Sequence, residues 1–393
     1  MHSRVFLVNS IRSTFFLSSR EPVELTRQLC NIESVSGSEG PLADAIAHAL
    51  AGAEHLTVLR DGDALIARTE LGRAQRVIIA GHIDTVPVNG NLPVRDQGPD
   101  KAREDEVRED AAPEGAAPED AASGGAMIWG RGTVDMKAGV AVQLALALEL
   151  TAPAVDITWV WYDHEEVADE LNGLGRVMRH HPNLFDADFA ILGEPTSGNV
   201  EGGCNGTLRA VVRVSGVQAH SARSWMGRNA IHRAATLLQR LEEFEASAIE
   251  VDGLTYREGL NAVRIGGGVA GNVVPDLCEI EVNFRFAPSR SIDEAQQFVR
   301  DFFFDADEVQ FVDVAAGARP GLRHPYVREF VEAIGEKVHR ELGWTDVSRF
   351  SALGIPAVNF GPGDPLLAHA DDERVAVAEI ERVAEALRAW LST

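Results

Sequence analysis

The sequence predicts an α/β fold with a second, α+β domain inserted into it, and two observations point there. Short apolar runs at residues 77–80, 157–162 and 189–192 each end just before an acidic or histidine-bearing segment. That is the pattern of buried parallel strands delivering ligands beyond their C-terminal ends. Between 208 and 314 the order becomes strand, helix, strand, strand, helix, strand, the split βαβ layout of ferredoxin-like domains.

The elements follow in order. Helix-period segments span 21–31 and, after a Ser-Gly break, 39–51. The run 77–80 stops at Gly81, which puts His82 and Asp84 just past a strand end. Residues 140–150 read as a buried helix. The runs 157–162 and 189–192 are further strands, ending before Glu165 and Glu194. In the inserted domain 208–214, 262–265, 278–286 and 309–314 are strands, and 229–244 and 292–304 are amphipathic helices. Helix and strand then resume at 326–342 and 357–360. The division predicted is therefore a large domain over 21–207 and 318–393 with a small one over 208–317 inside it.

Length and composition bound the function. At 393 residues two domains are the natural expectation, and 45% hydrophobic residues suffice for a full core. A net charge of −24 argues against nucleic acid or an anionic membrane as partner. Cys30, Cys204 and Cys278 are odd in number and dispersed, which fits a reducing cytoplasm without a disulfide framework. No apolar run approaches the roughly 18 residues a spanning helix needs. Residues 1–20 carry Arg4, Arg12 and Arg20 and two short apolar patches; a disordered extension is the expectation, a targeting peptide the alternative. Residues 94–126 contain an acidic run and two Ala-Ala-Pro-Glu repeats with almost no large apolar residue. Such a segment does not offset its ordering entropy and reads as a disordered insertion, with an acidic docking tail as the alternative.

Seven motifs hold the chemistry: Gly81-His82-Ile83-Asp84-Thr85-Val86-Pro87, Gly130-Arg131-Gly132-Thr133-Val134-Asp135-Met136-Lys137, Glu165-Glu166, Leu192-Gly193-Glu194-Pro195, Gln218-Ala219-His220-Ser221, Gly271-Asn272-Val273-Val274-Pro275 and Ala368-His369-Ala370-Asp371. Two divalent ions about 3.5–4 Å apart need a bridging carboxylate plus one His and one carboxylate each. The set supplies these with one acid left for proton transfer. His82 and Asp84 are two apart, so an extended segment points both to one side, with Asp84 able to accept the second ring N–H. Each piece has an ordinary reading alone. Asp135 before a helix is a common N-cap, adjacent glutamates are common on solvated turns, and His369 is an isolated surface histidine. Of Glu165 and Glu166, one suits a metal and the other a water proton. The ordered set is what selects the two-metal reading.

From about residue 21 onward the chain resembles the dinuclear-zinc amidohydrolases and peptidases of M20 type, which include acetylornithine deacetylase, bacterial glutamate carboxypeptidases and succinyl-diaminopimelate desuccinylase. It is most similar to the actinobacterial desuccinylase branch through Glu201-Gly202-Gly203-Cys204-Asn205-Gly206-Thr207, Gly271-Asn272-Val273-Val274-Pro275-Asp276, Ser348-Arg349-Phe350-Ser351 and Gly361-Pro362-Gly363-Asp364-Pro365. The resemblance implies a zinc-aminopeptidase-like catalytic domain with a mainly parallel sheet, and an inserted ferredoxin-like domain that makes a homodimer. It implies two Zn2+ per subunit, with Co2+ as a substitute. His82 and Glu194 hold one ion, Glu166 and His369 the other, and Asp135 bridges both. Glu165 is implied as general base, Asp84 as the group that orients His82, and the Asp135–Met136 peptide as cis.

His220 matches the histidine that crosses the dimer interface to the substrate carbonyl; its alternative is a loop residue capping Ser221 or a helix start. Arg285, Arg349, Asn272 and Thr345 match substrate-carboxylate positions, where the planar fork of Arg suits a diacid. The two arginines have strand-face or local ion pairs as alternatives. The branch implies hydrolysis of N-succinyl-LL-2,6-diaminopimelate in diaminopimelate and lysine synthesis. Acetylornithine deacetylation, another N-acyl-amino-acid hydrolysis, exopeptidase activity or a non-catalytic metal-binding scaffold are the alternatives. The acidic insertion, the extension and a missing Arg-Arg pair near 204–207 depart from the family pattern.

Overall fold

The computed structural model describes residues 15–96, 125–335 and 337–393. The expected extension therefore lies outside the described residues up to 14, and the expected acidic insertion does so from 97 to 124. The described residues form two compact units, one within Met1–Glu201, His324–Val338 and Ile355–Thr393, the other of Gly202–Arg323 and His339–Gly354. The second unit is wider than residues 208–317, chiefly because 339–354 join it.

In the first unit the strand Asp156–Tyr162 is buried at every position. It pairs in parallel with Arg76–His82, which pairs in parallel with Phe189–Leu192, and that in turn with Ala357–Asn359. The sequence of each is a short, nearly continuous apolar run, as a strand covered on both faces requires. Trp159, Trp161 and Tyr162 are among the largest fully buried side chains. Burial of large apolar side chains contributes about 1.5–3 kcal/mol apiece. An antiparallel hairpin, Thr57–Asp61 with Ala64–Arg68, extends the sheet beyond Asp156–Tyr162. The apolar pattern did not reveal it, although its Gly62-Asp63 turn is a hairpin signal, with Gly62 at φ 64°.

The helix Lys137–Glu149 is buried through Leu148, the mark of a core helix rather than a surface one. It starts three residues earlier than its periodicity suggested. Gly139 makes its position possible, since a Cβ there would lie 2.1 Å from the Gly193 carbonyl oxygen. The helix is thereby seated directly against the segment bearing Glu194. Pro22–Cys30 and Val377–Leu391 pack on it. The helix expected over 326–342 is shorter, Pro325–Ile334. Gly335 takes the left-handed conformation at φ 71° and ends it, and Val338–Arg340 follows as a strand.

The second unit has an antiparallel sheet in the order Gly259–Gly267, Leu277–Phe286, Gly206–Ser215, Glu308–Ala315. Helices Ala230–Glu242 and Ile292–Phe302 contribute Ala230, Ala234, Leu237, Ala295 and Val299 to a core shared with Leu208, Val212, Ile280, Val282 and Phe284. Strand burial alternates, as one covered face requires. Asn229 caps the first helix, and Ser291 with Glu294 forms a capping box on the second. The connectivity is the expected βαββαβ, with an added hairpin of Ala248–Val251 and Leu254–Arg257. That hairpin turns on Asp252-Gly253, both at positive φ, another turn signal that apolar periodicity passes over. No helix among the described residues is long and apolar enough to cross a membrane. Cys30, Cys204 and Cys278 are free and buried.

Candidate metal centre and active site

Three neighbouring parallel strands set the site in the first unit. Arg76–His82 ends on His82, Asp156–Tyr162 is followed by Glu165 and Glu166, and Phe189–Leu192 by Glu194. Side-by-side parallel strands bring their C-terminal ends to one edge, where open α/β sheets gather ligands. Asp135 stands just before Lys137–Glu149, and His369 just after a short 3-10 turn, Pro365–Leu367.

These side chains meet. His82 Nε2 lies 3.0 Å from Asp135 Oδ1 and 3.9 Å from Glu194 Oε2. His369 Nε2 lies 3.1 Å from Asp135 Oδ2 and 3.0 Å from Glu166 Oε1. Each oxygen of Asp135 thus faces a different histidine, and each histidine faces a second carboxylate. Among the described residues three donor groups emerge, His82/Asp135/Glu194, Asp135/Glu166/His369 and His82/Glu165/Glu166, each with its ligand atoms within 4.8 Å. Mixed imidazole and carboxylate donors of this kind suit divalent zinc or its neighbours. The N-cap reading of Asp135 does not describe it, because Met136 holds the cap position and the Asp135–Met136 peptide is cis.

The supports are equally specific. His82 Nδ1 lies 3.0 Å from the Asp84 carbonyl and 3.4 Å from its carboxylate, which leaves Nε2 facing the acids. The Asp84 carboxylate accepts the N–H of Glu165 at 3.0 Å, the N–H of Glu166 at 3.1 Å and the Ser36 hydroxyl at 2.7 Å. Glu39, fully buried, accepts the N–H of His164 at 3.2 Å. Three successive backbone donors, 164 to 166, therefore point into two buried carboxylates. His164 and His369 are at φ 59° and 65°, left-handed conformations that persist in non-glycine residues only where the surroundings enforce them.

The electrostatics describe a site built for cations. Burial opposes charge on His82, yet Asp135, Asp84 and Glu194 hold its pKa well above the ordinary imidazole value. Asp135 and Glu166 raise His369 to about 10. Burial disfavours the Asp135 carboxylate, but His369 and His82 drive its pKa far below the usual range. An excess of carboxylates is drawing protons onto the histidines, the role that divalent ions fill when bound.

The remaining expected residues belong to the second unit and are described within it. His220 is exposed and its Nδ1 accepts the Ala222 N–H at 3.1 Å at the start of a 3-10 turn. Asn272 is exposed, and its carbonyl accepts the Ser221 N–H at 2.9 Å. Thr345 is half-buried. Arg349 pairs with the buried Asp346 and lies over the Trp344 ring, 5.4 Å from its centroid. Burial lowers the pKa of Arg285 on the strand Leu277–Phe286. Sequence reasoning missed Glu39, Arg131 and Glu373, all buried polar residues near the cluster. Glu373 ends an exposed-looking Asp-Asp-Glu run, so composition gave no sign that it alone turns inward.

Residues 78–393 match the model of the family described as Peptidase family M20/M25/M40. A succinyl-diaminopimelate desuccinylase of Corynebacterium glutamicum is 44% identical over 382 residues, 95% of this chain and 96% of that protein. A provisionally named succinyl-diaminopimelate desuccinylase of Mycobacterium tuberculosis is 49% identical over 373 residues, 94% and 98% of the two chains. Among solved structures a Staphylococcus aureus tripeptidase superposes with TM-score 0.72 at 19% identity, over 95% of this chain and 98% of that one. An M20 metallo-carboxypeptidase of Sulfolobus solfataricus gives 0.71 at 16%, with the same coverage. At those identities the structural matches speak for the fold alone. Matched by family model, by full-length relatives and by fold, this chain belongs to peptidase family M20/M25/M40 and is a metal-dependent hydrolase of an amide bond.

Proposed function

We propose that this enzyme hydrolyses N-succinyl-LL-2,6-diaminopimelate to succinate and LL-2,6-diaminopimelate, in a reducing cytoplasm. The observation that carries the substrate is identity of 44–49% along nearly the whole chain to proteins bearing that name. The reaction class rests on Asp135, whose two carboxylate oxygens face two histidines.

His82 and Glu194 would hold one divalent cation, His369 and Glu166 the second, with Asp135 between them; zinc suits the donors, and cobalt is a substitute. When bound, such ions polarise the scissile carbonyl and make water a nucleophile near neutral pH. The chain does the rest. Glu165 takes a proton from the attacking water and returns it to the departing amine as the C–N bond breaks. Asp84 fixes Glu165 by its backbone N–H and His82 by its ring. Arg285, Arg349, Asn272 and Thr345 bind the substrate carboxylates, and His220 donates to the carbonyl oxygen as negative charge develops there.

A homodimer through the second unit completes the reading. Its support is the edge strand Gly259–Gly267, exposed at every position from 261 to 267, with Val263 and Ile265 at 57% and 50%. An uncovered apolar edge strand is a site for another chain. The deciding experiment gives purified, metal-loaded protein N-succinyl-diaminopimelate, N-acetylornithine and simple dipeptides at equal concentration. The highest kcat/KM on the succinyl diacid supports the proposal, and a preference for either other class overturns it.

A further inference from the structure

We infer that the buried ion pair Arg131–Glu373 is the positioning device for the bridging carboxylate of Asp135, and so for metal retention. The inference rests on the reading of Asp135 as a shared ligand. Arg131 and Glu373 are 3% and 1% exposed, and Arg131 Nη1 donates to Glu373 Oε2 at 2.8 Å. The other oxygen, Oε1, accepts two successive backbone donors, Val134 N–H at 2.8 Å and Asp135 N–H at 3.2 Å. The Glu373 carbonyl accepts Gly130 N–H at 2.9 Å, so the loop carrying Asp135 is held at both ends by one residue.

Arg131 extends the grip. Its Nε donates to the Pro87 carbonyl at 3.2 Å, on the segment that begins with His82. Its Nη1 also reaches the Ala370 carbonyl at 3.3 Å, one residue beyond His369. A single pair therefore touches the three segments bearing His82, Asp135 and His369, which are far apart in sequence. Neither residue is among the donor groups that could take an ion. A guanidinium suits the task, because its fixed fork serves several acceptors at once and stays charged when buried. Outer partners of this type typically govern metal affinity by about 10–100-fold.

The test titrates metal-free protein with Co2+ against a competing chelator, reading affinity and the visible d–d spectrum, and measures the thermal midpoint of the metal-free form. Asp135→Asn serves as the reference. Glu373→Gln should weaken Co2+ binding about 10–100-fold and change the spectrum, and its metal-free midpoint should fall because Arg131 is left without its buried partner. If Asp135→Asn lowers affinity while Glu373→Gln binds with wild-type affinity and spectrum, the positioning inference is overturned and the shared ligand stands. If Asp135→Asn itself binds like wild type, the underlying reading fails, and the inference with it. Should Glu373→Gln not fold, Arg131→Lys decides. It keeps the charge but loses the fork to Pro87 and Ala370, so a severalfold loss of Co2+ affinity supports the inference and wild-type affinity overturns it.

Discussion

Asp84 accepts the backbone N–H of Glu165 at 3.0 Å, although the two residues lie 81 positions apart. The same carboxylate reaches Glu166, and its residue's carbonyl meets the His82 ring. One residue thus fixes the proposed base and two proposed ligands together. Asp84→Asn should lower kcat by about 10²-fold, since an amide group replaces one acceptor with a donor facing an N–H. Steady-state kinetics with metal analysis checks this; a kcat within a fewfold of wild type would remove Asp84 from the positioning role.

Glu165→Gln should keep its metals and lose about 10²–10⁴-fold in turnover, the usual effect of removing a general base. Glu165 shares a 4.8 Å donor group with His82 and Glu166, so distance alone does not separate base from ligand. Loss of one ion in this variant would make it a ligand instead.

Metal loading should release protons and tighten as pH rises. In the metal-free protein the carboxylates raise His369 to about 10, so near pH 8 a proton competes with the ion. Calorimetry in buffers of different ionisation enthalpy checks it, and proton-neutral binding would contradict it. The sign for stability is opposite. The raised pKa makes the His369 ion pairs stabilising below its unfolded value, an advantage lost as pH climbs through about 10.

Gly139→Ala should destabilise the fold by about 1–3 kcal/mol, because its Cβ would press on the Gly193 carbonyl with little room to relax. The strain falls next to Glu194, so zinc content should fall too. Denaturant unfolding with metal analysis tests both, and a neutral substitution would mean that helix and strand end separate freely.

Mixing His220→Ala with Glu165→Gln should restore part of the activity, since a heterodimer could combine an intact Glu165 with the partner chain's intact histidine. A fully active monomer by sedimentation would contradict the arrangement.

Much of this was legible in the sequence because apolar runs and acid-bearing motifs report on different things. The runs 157–162 and 189–192 became strands nearly to the residue, since continuous burial leaves a continuous signature. Asp135, His82 and His369 are single residues far apart in sequence, and only their order within family motifs joined them. The hairpins at 57–68 and 248–257 escaped because their strands are short and their signal lies in the Gly62-Asp63 and Asp252-Gly253 turns. Glu39 and Glu373 escaped for a different reason. A buried carboxylate that serves backbone N–H groups looks, in sequence, like any surface acid.

The proposed chemistry requires Asp135 to lie between two ions. A crystal structure of the zinc-loaded protein with anomalous data tests it most directly. Two peaks about 3.5–4 Å apart are expected, with one Asp135 oxygen on each, His82 and Glu194 completing one, and His369 and Glu166 the other. A single peak, or two peaks with Asp135 bound to only one, would contradict it.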